Sequence, residues 1–278
     1  MPPTVENVTK TLLKDWGLPD PGSKKARGQV VVVGGSPRSP GAVLLSAEAA
    51  LRVGAGRVGL AVPPDIAPGL GTVMPEAGVY AWGGDADSLD DGLRSALESA
   101  DAVLLGPGFD DPEVTRIALT AIAATGVTRL VLDAFALGIL PDLDRAILPD
   151  DLLINANEEE AALLLGRDLG SNRTDDIAEI ARRYRAVVHC FGTVAAPDGH
   201  VWQAEPGGGG LGTAGSGDVL SGCIAGFGSR GLESERAAVW GGWTHARSGD
   251  RLTERVGVGF LARDLLGEVT RVVRDAVG

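Results

Sequence analysis

Gly207-Gly-Gly-Gly-Leu-Gly-Thr-Ala-Gly-Ser-Gly-Asp-Val-Leu-Ser-Gly222 is a glycine-rich loop that continues into an apolar segment. Glycine lacks a Cβ atom, so such a loop can adopt positive φ angles and bring its backbone close to a ligand. Val219, Cys223 and Phe227 recur at helical spacing and predict a helix that begins where the loop ends. Because a helix N-terminus presents unpaired amides and a positive dipole end, we predict a phosphate site here.

Asp218 lies at the junction of this loop and the predicted helix. An aspartate in a first helical turn is favoured simply as a cap, since its side chain accepts hydrogen bonds from backbone amides. Beside a bound phosphate it can instead act as a general base that takes a proton from a hydroxyl during phosphoryl transfer. The residues of this stretch alone leave both interpretations open.

Strands and helices alternate through the rest of the chain. We predict strands at 28–35, 57–63, 101–105, 129–133, 152–155 and 186–191, a hairpin over 193–202, and helices at 42–53, 88–99, 112–125, 157–165, 172–184, 218–229, 234–248 and 260–275. This alternation is typical of an α/β fold with a mostly parallel sheet and helices on both faces. We expect one domain over 27–278, preceded by an N-terminal arm at 1–26.

Several polar residues and glycines follow these predicted strands. Gly106-Pro-Gly108 ends one strand, Asp133 ends the next, and Asn157 and Glu160 lie in the helical turn after a third. Open α/β sheets bind their ligands at this carboxyl edge. The glycines are also compatible with an ordinary turn, and the glutamates after Asn157 with solvated charge at a helix start.

Gly54-Ala-Gly-Arg-Val-Gly59 matches the spacing of a dinucleotide-binding fingerprint. That fingerprint must follow a strand and open a helix, whereas this match follows a helix and precedes a strand. We interpret it as a tight helix-to-strand turn.

The composition excludes several classes of protein. A net charge of −12 disfavours a nucleic-acid-binding surface. Cys190 and Cys223 lack metal-ligand spacing and are predicted to be reduced core thiols, and His189, His200 and His245 are interpreted as structural. The chain has neither a long apolar run nor a signal segment, so we expect a cytoplasmic protein without membrane contact.

An ordered set of motifs now resembles the ribokinase-like superfamily and, within it, the NAD(P)H-hydrate dehydratases, over about residues 27–275. The set comprises Gly34-Gly-Ser36 with Gly41-Ala42, the helix end 47–56, Gly106-Pro-Gly108, Asp133-Ala-Phe-Ala-Leu137 and Gly215-Ser-Gly-Asp-Val-Leu-Ser-Gly222. The resemblance implies a ribokinase-like three-layer sandwich.

Roles for individual residues are implied by this resemblance. Asp218 corresponds to the catalytic aspartate, and Gly215, Ser216 and Gly217 to the anion hole for the transferred phosphate. The further implied positions are Thr213 for the nucleotide, Ala42, Gly108, Asn157 and Asp218 for the hydrate, and Asn157 with Glu160 for Mg²⁺, in part through water.

The implied activity is repair of a damaged cofactor. Such an enzyme dehydrates the (6S) hydrate of NADH or NADPH with ADP or ATP as co-substrate and Mg²⁺ as cofactor. Homo-oligomeric assembly is also implied. The 26 residues before the domain are too few for the epimerase sometimes fused to these enzymes, so we expect a separate epimerase.

Three segments depart from the family pattern. His189-Cys-Phe-Gly-Thr193 replaces a KGxxT-like nucleotide segment and lacks its lysine, Asn157 stands where histidine is usual, and Ala214 where glycine is usual. Two other functions stay open. One is a small-molecule kinase of the same fold, acting on a hydroxymethyl-pyrimidine, a hydroxyethyl-thiazole or a sugar. The other is a non-catalytic nucleotide-binding homologue.

Overall fold

A computed structural model describes residues 3–19, 22–85 and 87–278. In these ranges ten strands form one sheet with the order β1-β10-β9-β8-β7-β6-β5-β2-β3-β4. The strands are β1 (Thr4–Asn7), β2 (Gln29–Val33), β3 (Arg57–Val62), β4 (Ala77–Ala81), β5 (Ala102–Leu105), β6 (Arg129–Asp133), β7 (Asp151–Ala156), β8 (Val187–Cys190), β9 (Thr193–Ala195) and β10 (His200–Gln203).

The sheet is mostly parallel, as predicted. Only β9 runs against its neighbours β8 and β10, and the seven strands from β2 to β8 are all parallel to one another. The chain builds outward from β2 to β3 and β4, then crosses to β5 on the other side of β2. This reversal opens a crevice between the carboxyl ends of β2 and β5, where ligands commonly bind in α/β sheets.

Helices cover both faces of the sheet, and none in the described ranges is long and apolar enough to cross a membrane. The helices are α1 (Lys10–Trp16), α2 (Gly41–Arg52), α3 (Ala67–Val73), α4 (Asp91–Glu98), α5 (Pro112–Ala124), α6 (Phe135–Ile139), α7 (Glu158–Leu165), α8 (Arg173–Tyr184), α9 (Ser216–Ser229), α10 (Ser234–Val256) and α11 (Ala262–Val277).

Two apolar cores lie on opposite faces of the sheet. Val30 and Val32 of β2 pack in the core beneath α2, α9, α10 and α11, while Val31 and Val33 pack in the core beneath α4, α5, α7 and α8. Successive side chains of a strand point to opposite faces, so an unbroken valine run fills both cores. Cys190 and Cys223 are free and buried in these cores.

The structure corrects two predicted regions. Residues 64–87, for which the sequence predicts neither a strand nor a helix, contain α3 and β4, and α10 extends to Val256 rather than ending near 248. Helix α3 includes a proline and two glycines in seven residues, which hides its helical pattern. Within the predicted arm, β1 pairs with β10 at the sheet edge. The side chains of β1 are exposed, so the sequence shows no apolar alternation that would predict this strand.

Helices α2 and α9 approach each other unusually closely. A Cβ atom on Gly222 would lie 2.1 Å from the carbonyl oxygen of Ser46, and one on Gly226 would lie 2.7 Å from Cα of Ala50. Only glycine permits this backbone contact. The contact fixes α9, and with it the glycine-rich loop, against the carboxyl edge of the sheet.

Candidate active site

A cavity of about 650 Å³ opens at the carboxyl edge of β6, β7 and β8. Its lining combines strand ends, the first turns of α7 and α9, one face of α10 and the glycine-rich loop. The residues are Asp133, Ala134, Asn155, Ala156, Asn157, Glu160, His189, Phe191, Gly192, Pro206, Gly207, Gly208, Gly209, Leu211, Gly212, Thr213, Gly215, Ser216, Gly217, Asp218, Leu220, Gly242, His245 and Ala246.

The N-terminus of α9 faces this cavity and presents free amides. Gly215 is its N-cap, with φ 86°, and no side chain caps the helix. The amide of Ser216 donates to the carbonyl of Thr213, whereas those of Gly217 and Asp218 have no acceptor among the described residues. The predicted phosphate site therefore has two unpaired amides and the positive end of a 14-residue helix.

Asp218 does not serve as the helix cap. It is the third residue of α9, and its half-buried carboxylate accepts no hydrogen bond from the backbone of this turn. Burial raises its pKa to about 6. The carboxylate is therefore mostly ionised at neutral pH and has the basicity suited to proton transfer.

Asn157 and Glu160 form a reciprocal capping box at the start of α7. The Asn157 side chain accepts from the amide of Glu160, and the Glu160 carboxylate accepts from the amide of Asn157, both over 2.9 Å. One carboxylate oxygen of Glu160 is not part of the box. Burial raises the pKa of Glu160.

A buried hydrogen-bonded chain connects three neighbouring strands. Asn155 Nδ2 donates to Asp133 Oδ1 over 3.1 Å, and Asn155 Oδ1 lies 2.9 Å from Nδ1 of His189. Burial raises the pKa of Asp133 to about 8, an effect that the charges of Glu160 and Asp218 reinforce and that bonds from Ser221 and Asn155 oppose. Burial lowers the pKa of His189 to about 4, so its ring is neutral.

His245 holds the hydroxyl of Ser216. Its Nε2 lies 2.9 Å from Ser216 Oγ, and both side chains are buried. Burial lowers the pKa of His245 to about 4, so this ring is also neutral. The sequence interpretation of His189 and His245 as purely structural missed their place in the cavity wall. Isolated histidines without a metal-ligand spacing offer no signal for it.

The cavity wall carries carboxyl groups without compensating cations. Asp133, Glu160 and Asp218 line it, whereas no lysine or arginine is among the described lining residues. The described residues contain no group of three or more histidine, cysteine or acidic side chains placed to hold a metal by themselves. Mg²⁺ fits this donor set because it binds through one or two carboxylates, retained waters and the phosphates of its ligand.

Ala42 and Gly108 lie outside the cavity lining. They meet at the crevice between β2 and β5, where a Cβ atom on Gly108 would be 3.0 Å from that of Ala42. Gly106 has φ 130° and would place a Cβ 1.9 Å from the carbonyl of Asp133, so this turn joins the crevice to the cavity. Ala134, which follows Asp133 and lines the cavity, has φ 51°, a strained conformation of the kind found at functional sites.

Comparison with known proteins identifies the family. The family model described as NAD(P)H-hydrate dehydratase matches residues 30–271. The chain belongs to this family. It is 41% identical over 283 residues to the ADP-dependent (S)-NAD(P)H-hydrate dehydratase of Xanthomonas campestris pv. campestris, covering 98% of this chain and 97% of the relative. The bifunctional NAD(P)H-hydrate repair enzyme Nnr of Escherichia coli is 34% identical, covering 98% of this dehydratase-family chain and 53% of that protein.

Solved structures share the fold of this dehydratase-family chain. The ADP/ATP-dependent NAD(P)H-hydrate dehydratase from Bacillus subtilis, co-crystallized with ATP/Mg²⁺, superposes with a TM-score of 0.83 at 24% identity, covering 96% of this chain and 97% of that one. A ribokinase-like superfamily protein from Enterococcus faecalis superposes with a TM-score of 0.84 at 21% identity, covering 98% and 96%. The predicted ribokinase-like fold is confirmed.

Proposed function

We propose that this protein is an adenine-nucleotide-dependent dehydratase that returns the (6S) hydrate of NADH or NADPH to the intact cofactor. The relatives named above support the reaction. The observation that carries the site assignment is the N-terminus of α9. There the unpaired amides of Gly217 and Asp218 lie beside the carboxylate of Asp218, which makes no capping hydrogen bond. An anion site and a base in one helical turn are what phosphorylation of a hydroxyl requires.

Asp218 begins the reaction as general base. Its carboxylate removes the proton of the hydroxyl on the reduced nicotinamide ring, and that oxygen attacks the terminal phosphorus of ADP or ATP. The bond from this phosphorus to the bridging oxygen breaks, and AMP or ADP departs. The amides at Gly217 and Asp218 are placed to stabilise the negative charge of the transferred phosphoryl group.

Elimination then restores the ring. Hydroxide is a poor leaving group, whereas phosphate leaves readily with the electron pair of the carbon–oxygen bond as the ring nitrogen donates its lone pair. Loss of a proton from the adjacent carbon re-forms the double bond. The protein's contribution is positioning and charge neutralisation rather than new covalent chemistry.

The hydrate and the nucleotide are assigned to different parts of the carboxyl edge of the sheet. We assign the nicotinamide ring to the crevice at Ala42 and Gly108, and the nucleotide to the cavity, with Thr213, Gly215 and Ser216 around its phosphates. Glu160, with its free carboxylate oxygen, and Asn157 would hold Mg²⁺ in part through water. The ion would neutralise phosphate charge in a cavity whose described lining contains no lysine or arginine. Homo-oligomeric assembly and a separate epimerase stay predictions.

One assay tests the reaction. The protein is incubated with NADPH hydrate, Mg²⁺ and either ADP or ATP, and the return of absorbance from the reduced ring is followed together with released orthophosphate. The proposal expects equal amounts of NADPH and orthophosphate. A stable phosphorylated product without orthophosphate would identify a kinase, and nucleotide binding without turnover would identify a non-catalytic homologue.

Asp218→Asn tests the base. The substitution keeps the shape of the side chain and removes its basicity, so turnover should fall by about 10²- to 10⁴-fold. Because Asp218 makes no cap bond, the melting temperature should stay close to that of the wild type. Dehydration by the folded variant at a rate comparable to the wild type would contradict the assignment.

A further inference from the structure

The chain of hydrogen bonds from Asp133 through Asn155 fixes how His189 is protonated. Each of these side chains is no more than 5% exposed. Asn155 donates its NH₂ group to Oδ1 of the Asp133 carboxyl group, so its carbonyl oxygen faces the histidine. A carbonyl oxygen only accepts, and Nδ1 must therefore be the nitrogen that carries the proton. In the neutral ring Nε2 is then a hydrogen-bond acceptor.

Nε2 of His189 lies at the cavity wall without a partner. The ring packs on Gly242 of α10, where a Cβ atom would approach Nε2 to 2.6 Å, so only glycine leaves room for it. No donor to Nε2 occurs among the described residues, although His189 lines the cavity. Nε2 is not among the fully buried side-chain atoms that lack a partner, so it opens onto the cavity, where a bound ligand can supply a donor.

His189 lies between two chemically different ends of the cavity. Gly242, against its ring, is three residues before His245 and on the same face of α10, and His245 holds Ser216 at the phosphate site. On the other side, β8 leads to Phe191, which is 58% exposed at the cavity rim. Pro206 and Leu211 add apolar surface at this rim.

We propose that His189, oriented by Asn155 and Asp133, accepts a hydrogen bond through Nε2 from a ribose hydroxyl of the bound adenine nucleotide and thereby selects ribonucleotides. This inference rests on the proposed function, because it requires the nucleotide in this cavity. Phosphate oxygens are mostly ionised at neutral pH, so the main donors of an adenine nucleotide are its ribose hydroxyls and the amino group of its base. The aromatic base suits the apolar rim, and the ribose joins base to phosphates at the position of His189.

Calorimetry with ADP and its 2′-deoxy and 3′-deoxy analogues tests the contact. Loss of one hydrogen bond is expected to weaken binding of one deoxy analogue to the wild type by about 3- to 10-fold. His189→Phe keeps a ring of similar size without the acceptor, so it should bind ADP more weakly by a similar factor. That variant should no longer distinguish ADP from the same deoxy analogue, which is the coupling expected of two groups in contact.

His200→Phe is the matched control. His200 is a half-exposed histidine on β10 outside the cavity lining, so its removal should leave the discrimination between ADP and the deoxy analogues unchanged. Nitrogen NMR of the unaltered protein needs no variant, since the chain has only three histidines. The Nε2 signal of His189 should be that of an unprotonated nitrogen and should shift on adding ADP more than on adding the discriminated analogue.

The outcomes separate this inference from the proposed function. Equal binding of ADP and both deoxy analogues by the wild type would overturn the ribose contact while leaving nucleotide binding intact. Discrimination that survives in His189→Phe would assign the hydroxyl to another residue and likewise overturn it, as would an NMR signal showing a protonated Nε2. Failure of the wild type to bind ADP would overturn the proposed function and the inference together.

Discussion

Gly222→Ala should displace Asp218, the proposed catalytic base, without unfolding the protein. The added Cβ would lie 2.1 Å from the carbonyl oxygen of Ser46, whereas real Cβ contacts are essentially never shorter than 3.0 Å, so α9 and α2 must separate by about 0.9 Å. Asp218 lies one turn before Gly222 on the same face of α9, and moves with it. A misplacement of about 1 Å can cost on the order of 100-fold in rate.

The stability change of this variant is the sum of two opposing effects. Overpacking costs about 1–3 kcal/mol, while replacing glycine by alanine inside a helix returns up to about 1 kcal/mol. Gly267→Ala isolates the second effect, because Gly267 is an exposed residue within α11 with open space around its Cα. We therefore expect Gly267→Ala to raise the free energy of unfolding slightly and Gly222→Ala to lower it by up to about 2 kcal/mol.

Urea unfolding and the NADPH-hydrate assay measure the two quantities separately. The reasoning requires Gly222→Ala to lose far more activity than its small loss of stability explains, while Gly267→Ala keeps the activity of the wild type. Full activity in Gly222→Ala would refute the idea that the close α2–α9 contact positions Asp218, whatever its effect on unfolding.

Two further predictions concern pH. Because burial raises the pKa of Asp218 to about 6 and the base must be ionised, kcat/KM should be constant above pH 7 and should fall about tenfold per pH unit below about 6; a profile flat to pH 5 would contradict this. Asp133 has a folded-state pKa of about 8 against an ordinary 3.8, so its contribution to stability is full below about pH 4 and is lost as the pH rises toward 8. In the absence of divalent cations, the free energy of unfolding of Asp133→Asn should therefore rise relative to that of the wild type between these pH values. Urea unfolding at several pH values measures this difference, and a difference that does not change with pH would contradict the prediction.

Much of the fold could be predicted from the sequence because its central strands are buried on both faces. The run Val30–Val33 and the strand ending at Asp133 have continuous apolar character that only a covered parallel sheet explains. The edge strands lack this signature. Strand β1 is exposed along its length and joins the sheet only by backbone pairing with β10, which leaves no side-chain pattern to detect.

The candidate site was predictable where function depends on local sequence, and not where it depends on distant pairs. The glycines before Asp218 predict a helix N-terminus next to a carboxylate, and the structure places both at the cavity. The pairing of Ser216 with His245 joins residues 29 positions apart, and that of Asn155 with His189 joins residues 34 apart. Such contacts follow from strand order and helix packing, which no local pattern encodes.

The end of β8 lacks the lysine that the family resemblance implies, which changes how the proposed nucleotide would be bound. Where a cation is usual, His189 is neutral, because protonating it would place a buried charge beside His245. Under the proposed function, binding of a polyphosphate would then depend on the free amides of α9 and on a divalent ion near Glu160 to offset the carboxyl groups in the wall. The glycine-rich loop has no charged side chain to offer, and the amide of Gly208 is already bonded to Asp250. In the proposed contact, the neutral His189 ring therefore accepts a hydrogen bond from the nucleotide and makes no ionic interaction with it.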